Sequence, residues 1–269
     1  MAARLPTFYL SHGAGPWPYM SGAFRQYFAQ LELSLRQLPA QLPATPQAIL
    51  VISGHWEERD FAVMASPMPP MVYDFAGFGE ELYRIRYPAP GSPALARRVQ
   101  SLIQQAGLAT HLDGERGFDH GTYAVLAVTH PAADVPVIQL SMRWDYDPEA
   151  HWKLGRALAP LRDEGVLILG SGSSYHNLRQ FHAKARAREE SARFDAWLRQ
   201  TLLESSPQQR LQRLIEWEKA PSARFAHPQE DHLIPLHVAL GAAQEEPACL
   251  IYSEEGFMDA ITVSSYRFG

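Results

Sequence analysis

The chain has 269 residues, 46% hydrophobic and 20% charged, and its 24 Lys and Arg against 29 Asp and Glu give a formal charge of −5. That acidic balance, with a pI near 6.1, excludes a general nucleic-acid binder, whose phosphate contacts need a basic face. The one cysteine, Cys249, excludes an intramolecular disulfide and a cysteine-rich zinc module, and no apolar run approaches the roughly 20 residues of a membrane-spanning helix.

Thr7–Leu10 reads as a buried strand close to the start, so no signal peptide is expected and a reducing, cytoplasmic setting is the default. Ser21–Leu38 follows as one helix, with Phe24, Tyr27, Phe28, Leu31 and Leu35 at helical spacing. Ala48–Ser53 and Ala62–Ser66 read as strands. Ser92–Ala106 reads as a helix opened by Ser-Pro, and a second helix starts near Thr122 with Asp119 as its cap. The remainder alternates: strand Val135–Leu140, helix Pro148–Leu161, strand Val166–Gly170, helices Arg179–Leu203, Ser206–Trp217 and Asp231–Ala243, and strand Ala248–Tyr252. Ala260–Phe268 alternates in polarity and reads as an edge strand. There is no repeat or long polar linker. The expectation is one α/β domain over residues 1–269, its central, mostly parallel or mixed sheet flanked by helices.

In such sheets ligands bind beyond the carboxyl ends of the strands, and the eleven histidines become informative there. His12 follows the first strand, His55 the second, and His176 lies in the loop after Val166–Gly170. Three strand ends thus deliver an imidazole to one edge, and neutral imidazole is the commonest protein metal ligand. Singly, each has a plainer explanation: His12 as a strand terminator, His55 as a satisfied core residue beside Trp56. His120 stands either in the pocket or merely at a helix start behind Asp119. In Phe225–His237, Pro228 puts His227 in a loop, whereas His232 falls inside the next helix and His237 reads as packing or surface. Glu230 and Asp231 suit a helix N-terminus, with Glu230 kept as a rival ligand. Gly170–Ser174 is neither a GxSxG elbow nor a P-loop and reads as a tight turn exposing His176. His111, His130, His151 and His182 read as surface residues, and Cys249 as a buried thiol.

A resemblance joins these pieces. Ser11-His-Gly-Ala-Gly-Pro, Ser53-Gly-His-Trp-Glu, Tyr73-Asp-Phe-Ala-Gly-Phe, Tyr83-Arg-Ile-Arg-Tyr-Pro-Ala-Pro-Gly, Phe118-Asp-His-Gly-Thr-Tyr, Gly170-Ser-Gly-Ser-Ser-Tyr-His-Asn-Leu and Ala226-His-Pro-Gln-Glu-Asp-His-Leu-Ile-Pro-Leu resemble the DOPA 4,5-dioxygenase branch of the class III extradiol ring-cleavage dioxygenases. The similarity runs from residue 7 to about 243. It implies a non-haem enzyme that opens a catechol ring beside its diol, with a small aromatic diol and O2 as partners. It further implies Fe2+ for activity, with Zn2+ possible in the same site. Carried over, His12, His55 and His227 would be the metal ligands, with Glu230 or His232 as alternatives to His227. His176 would be the acid–base group and His120 a pocket residue. Tyr73, Arg84 and Arg86 are candidates for the substrate side. Three neutral ligands leave a divalent ion its full charge, which suits zinc as well as iron. Zinc has no redox chemistry, so a zinc form should not cleave rings. Two other functions stay open on the same scaffold: a zinc-dependent hydrolase, in which the metal activates water, and a non-enzymatic binding protein. The oligomeric state is left open.

Overall fold

The computed structural model describes residues 3–269. Its eight strands form one sheet: β1 (Thr7–Ser11), β2 (Ala48–Glu58), β3 (Phe61–Met64), β4 (Thr110–Asp113), β5 (Val137–Arg143), β6 (Val166–Gly172), β7 (Ala248–Phe257) and β8 (Ile261–Phe268). The order is β4-β3-β5-β2-β6-β1-β8-β7. The four central strands β5, β2, β6 and β1 are mutually parallel, and both flanks carry antiparallel pairings. The expected mixed α/β sheet is therefore present. The central strands are buried over most of their length and open with apolar runs because both faces are covered.

Helices Ala29–Gln37 and His120–Thr129 lie on one face. Ile234–Ala243, Pro148–Leu158 and Lys184–Leu203 lie on the other. Side-chain alternation along β6 shows the division: the Ser171 hydroxyl reaches Gly121 on the first face, while Gly170 and Gly172 lie under Pro235 and His232 on the second. A Cβ on either glycine would strike those backbone carbonyls. Gly170–Gly172 is thus the strand's own end, made of glycine so that a helix entry can approach, and the turn begins only after it.

Several boundaries differ from the sequence expectation. The helix expected over 21–38 is two, Gly22–Gln26 and Ala29–Gln37, with the break at Tyr27–Phe28. Phe28 is fully buried and stacks on Trp17, so tertiary packing overrides the helical period there. β4 was not anticipated; three half-buried residues and the exposed His111 carry little pattern. β8 is internal, between β1 and β7, and the edge is β7. Cys249 sits on that edge strand and is exposed, not buried. The helix expected from Asp231 begins at Ile234, which leaves His232 in the turn before it.

His151 is the clearest misplacement, since it is fully buried. Its Nδ1–H donates to the Asp147 carbonyl at 2.7 Å, and its Nε2 accepts from the Arg143 N–H at 3.0 Å. Only the neutral ring can make both bonds. Burial pushes its pKa down to about 4 and that of His227 down to about 3. Because both values are depressed, the unfolded chain takes up these protons first as the pH falls below the ordinary value of 6.5. Each residue then removes about 2 kcal/mol of stability between pH 7 and 5. Urea unfolding of the metal-free protein should show its midpoint falling steadily over that interval. A midpoint unchanged from pH 7 to 5 would mean these rings are not held neutral.

Candidate metal centre

β1, β6 and β2 are adjacent, and their carboxyl ends form one edge. His12 follows β1, with its N–H donating to the Gly172 carbonyl at 3.1 Å. His55 lies within β2 rather than after it, where the β2–β5 register breaks between Ile52 and Glu57. Such an irregularity re-aims a side chain toward a site. The Ser53 hydroxyl accepts from the His55 N–H at 3.2 Å and donates to Asp119 at 2.7 Å. Asp119 is fully buried and also accepts from Arg116 at 2.6 Å, from the Gln139 amide and from the Thr122 N–H. Arg116 in turn donates to the His55 carbonyl at 3.3 Å. One satisfied carboxylate thereby fixes the His55 backbone and caps the helix that presents His120.

His232 comes from the opposite face. Its carbonyl accepts from the Ser173 N–H at 3.1 Å and from the Tyr9 hydroxyl at 2.8 Å, and rests against Gly172. The Nε2 atoms of His12 and His55 are 3.2 Å apart, as are those of His55 and His232. His12 and His232 are buried and His55 is half-buried. A metal bound at roughly 2.0–2.1 Å by nitrogens at tetrahedral to right angles requires N···N separations of roughly 3.0–3.4 Å. The separations from His55 to His12 and to His232 meet that requirement, and the ligand atoms of all three residues lie within 4.8 Å of one another.

Their protonation fits as well. The Ser171 hydroxyl donates to the Gly121 carbonyl at 2.5 Å, so its oxygen accepts from His12 Nδ1–H at 3.1 Å and leaves Nε2 as a lone pair. Burial, with the neighbouring histidines second, holds His12 and His232 far below the usual histidine range and His55 at about 3. All three are neutral near pH 7, as metal ligation demands.

His120 and His176 complete a group of five rings. His120, the first residue of its helix, packs 3.9 Å from the His55 ring, and its Nδ1–H donates to Asp74 at 2.8 Å. His176 stacks on His232 at 3.2 Å and 17°.

His227 does not join this group. It caps the short helix Ala223–Ala226 and turns inward, its ring 5.1 Å from Phe194 and 6.0 Å from Trp217. Its Nε2–H donates to the Ser174 carbonyl at 3.0 Å. The short turn between Pro228 and Ile234 brings His232 to the sheet edge instead. Glu230 is also held away, paired with Arg224 at 2.6 Å. Arg84 and Arg86 are exposed, and the Tyr73 hydroxyl donates to the Ile85 carbonyl. Among the described residues, no hydrogen bond or ion pair joins any of the three to the histidine group. Asp74 and Asp231, which sequence reasoning passed over as site residues, both touch the cluster.

Comparison with known proteins shows the family. Residues 6–269 match the family described as the catalytic LigB subunit of aromatic ring-opening dioxygenase. A 4,5-DOPA dioxygenase extradiol of Beta vulgaris is 41% identical over 83% of each chain. A protein of that name from Escherichia coli K12 is 33% identical over all of this chain and 96% of its own. The crystal structure of an uncharacterized Escherichia coli K12 protein superposes with a TM-score of 0.73 at 31% identity, covering 99% of this chain and 100% of that one. No helix among the described residues is long and apolar enough to cross a membrane. With the family matched over nearly its full length and the histidine group at the sheet edge, the chain belongs to the LigB family of metal-dependent, aromatic ring-opening extradiol dioxygenases.

Proposed function

We propose that His12, His55 and His232 hold one divalent ion, Fe2+ in the active enzyme, and that residues 1–269 form one catalytic domain that opens a DOPA-like catechol beside its diol. The meeting of three neutral imidazole nitrogens, with His55 Nε2 at 3.2 Å from the Nε2 of both His12 and His232, supports this most directly. The substrate class follows the names of the relatives. When bound, the metal supplies a Lewis acid for the diol and, as iron, a redox partner for O2. The protein's own part is to orient the catechol and to move its protons. His176, with 24% of its side chain open to solvent, is placed to accept a hydroxyl proton. His120, held by Asp74, is placed to hydrogen-bond substrate or oxygen. Zn2+ fits the same nitrogens and should give an inert enzyme. A chain with one cysteine and a net charge of −5 suits a cytoplasmic enzyme of small molecules rather than a nucleic-acid partner.

The test starts from metal-free protein kept anaerobic and reloaded with Fe2+ or Zn2+. DOPA and unsubstituted catechol are then supplied in air-saturated buffer. Oxygen uptake with a yellow ring-opened product is expected with iron alone. No uptake with either metal across several catechols, or oxygen-independent turnover with zinc, would sink the proposal.

A further inference from the structure

Two aspartates flank the three-histidine group in matching ways. Asp74 comes from the loop before Phe75. Its Oδ1 accepts from His120 Nδ1–H at 2.8 Å and from the His120 N–H at 3.2 Å, while Oδ2 lies 3.4 Å from His55 Nδ1. Asp231 comes from the turn before Ile234. Its Oδ1 accepts from the His232 N–H at 2.9 Å and lies 3.6 Å from His176 Nδ1, while Oδ2 lies 3.0 Å from His232 Nδ1, at an angle too bent for a hydrogen bond. Each carboxylate therefore faces one histidine of the three-nitrogen group through one oxygen, and one of the remaining two rings through the other.

Both side chains are only 19% exposed, and their ion-pair contacts are histidines, with no Lys or Arg among them. Their negative charge is thus not spent elsewhere. Three neutral ligands leave a divalent ion at +2, and two nearby carboxylates bring the local sum to zero. With both carboxylates partly shielded from water, that balance matters more than it would between fully exposed charges.

We propose that Asp74 and Asp231 are paired positioning residues. They supply, from behind His55 and His232, the negative charge that the three-histidine ligand set lacks, and they hold His120 and His176 in register with the same centre. This inference rests on the metal assignment above. It concerns the source of the site's charge, which that assignment leaves unspecified.

Co2+ serves as the probe, titrated anaerobically into metal-free protein and followed by visible absorption and by competition with a chromophoric chelator. Asp74→Asn and Asp231→Asn keep the shape and the accepting oxygen and remove only the charge. Each should weaken Co2+ affinity by about 10–100-fold, and the double variant more than either. Glu164→Gln changes net charge equally but at an exposed pair with Arg98, and should bind Co2+ like the parent. Urea midpoints of the metal-free variants should stay near the parent's, which separates a charge effect from misfolding. Parent-like Co2+ affinity in both aspartate variants overturns the proposal while leaving the three-histidine site intact. Stoichiometric Co2+ retained by His12→Ala and His232→Ala overturns the site itself, and this proposal with it.

Discussion

His232→Ala is expected to abolish stoichiometric metal binding and ring-opening turnover, whereas His227→Ala should retain metal. The two residues lie five positions apart in one His-Pro-Gln-Glu-Asp-His segment, and the fold sends them in opposite directions. His232 Nε2 points at His55 Nε2, and removing it takes away one of the three converging nitrogens. The affinity loss should exceed the roughly 10–100-fold that follows loss of an outer-sphere partner; His12→Ala and His55→Ala should behave alike. His227 packs between Phe194 and Trp217, so His227→Ala opens a cavity and should cost about 2–4 kcal/mol of stability. His227→Asn keeps a donor for the Ser174 carbonyl and supplies a better-folded control. Metal content after dialysis, measured beside urea unfolding, separates the two effects. A folded His227 variant that loses metal, with His232→Ala keeping it, would return the ligand role to His227.

That pair of residues also marks how far the sequence could be read. The apolar runs at 7–10, 48–53, 135–140 and 166–170 identified the four parallel central strands, since strands buried on both faces lose polar alternation. The rule that loops at the carboxyl ends of such strands carry function then put His12, His55 and His176 on one edge, where β1, β2 and β6 deliver them. Choosing between His227 and His232 needed something periodicity does not hold. The helix start shifts from 231 to 234, and the Tyr9 hydroxyl in β1 and the Ser173 N–H just past β6 clamp the His232 carbonyl from more than fifty residues away in the chain. His151 was misread for a related reason. A polar residue on a helix looks solvent-facing until the backbone groups that satisfy it, Asp147 O and Arg143 N, are known. Asp74 carries no spacing signal, because its partners His55 and His120 come from other elements; Asp231 stands next to His232, but its approach to His176 is a product of the fold. Asp119 was legible as a cap, and its buried network with Ser53, Arg116 and Gln139 is the part only the fold reveals.

His176→Ala should leave metal binding intact and lower turnover by about 10²–10⁴-fold, the usual contribution of a positioned acid–base group. Among the five clustered rings, His12 and His232 are buried and His120 nearly so. His176 is the most open, at 24%, yet it lies flat against His232 at 3.2 Å. It is therefore close enough to meet a substrate bound at the three nitrogens and open enough to return its proton to water. His55 is the other partly open ring, but its Nε2 is turned inward toward both His12 and His232. The loss should fall on kcat more than on KM, because the proton moves in the chemical step and the catechol's main hold is elsewhere. His176→Gln keeps a polar side chain of similar reach but cannot shuttle a proton, so it should not recover activity. Added imidazole should recover part of it in His176→Ala, since the deleted ring leaves room beside His232, and that rescue would not follow if the ring served only to pack. Turnover in His176→Ala within about threefold of the parent would remove the acid–base role and move it to His120, whose Nδ1 is already committed to Asp74 and whose Nε2 would then have to carry the proton alone.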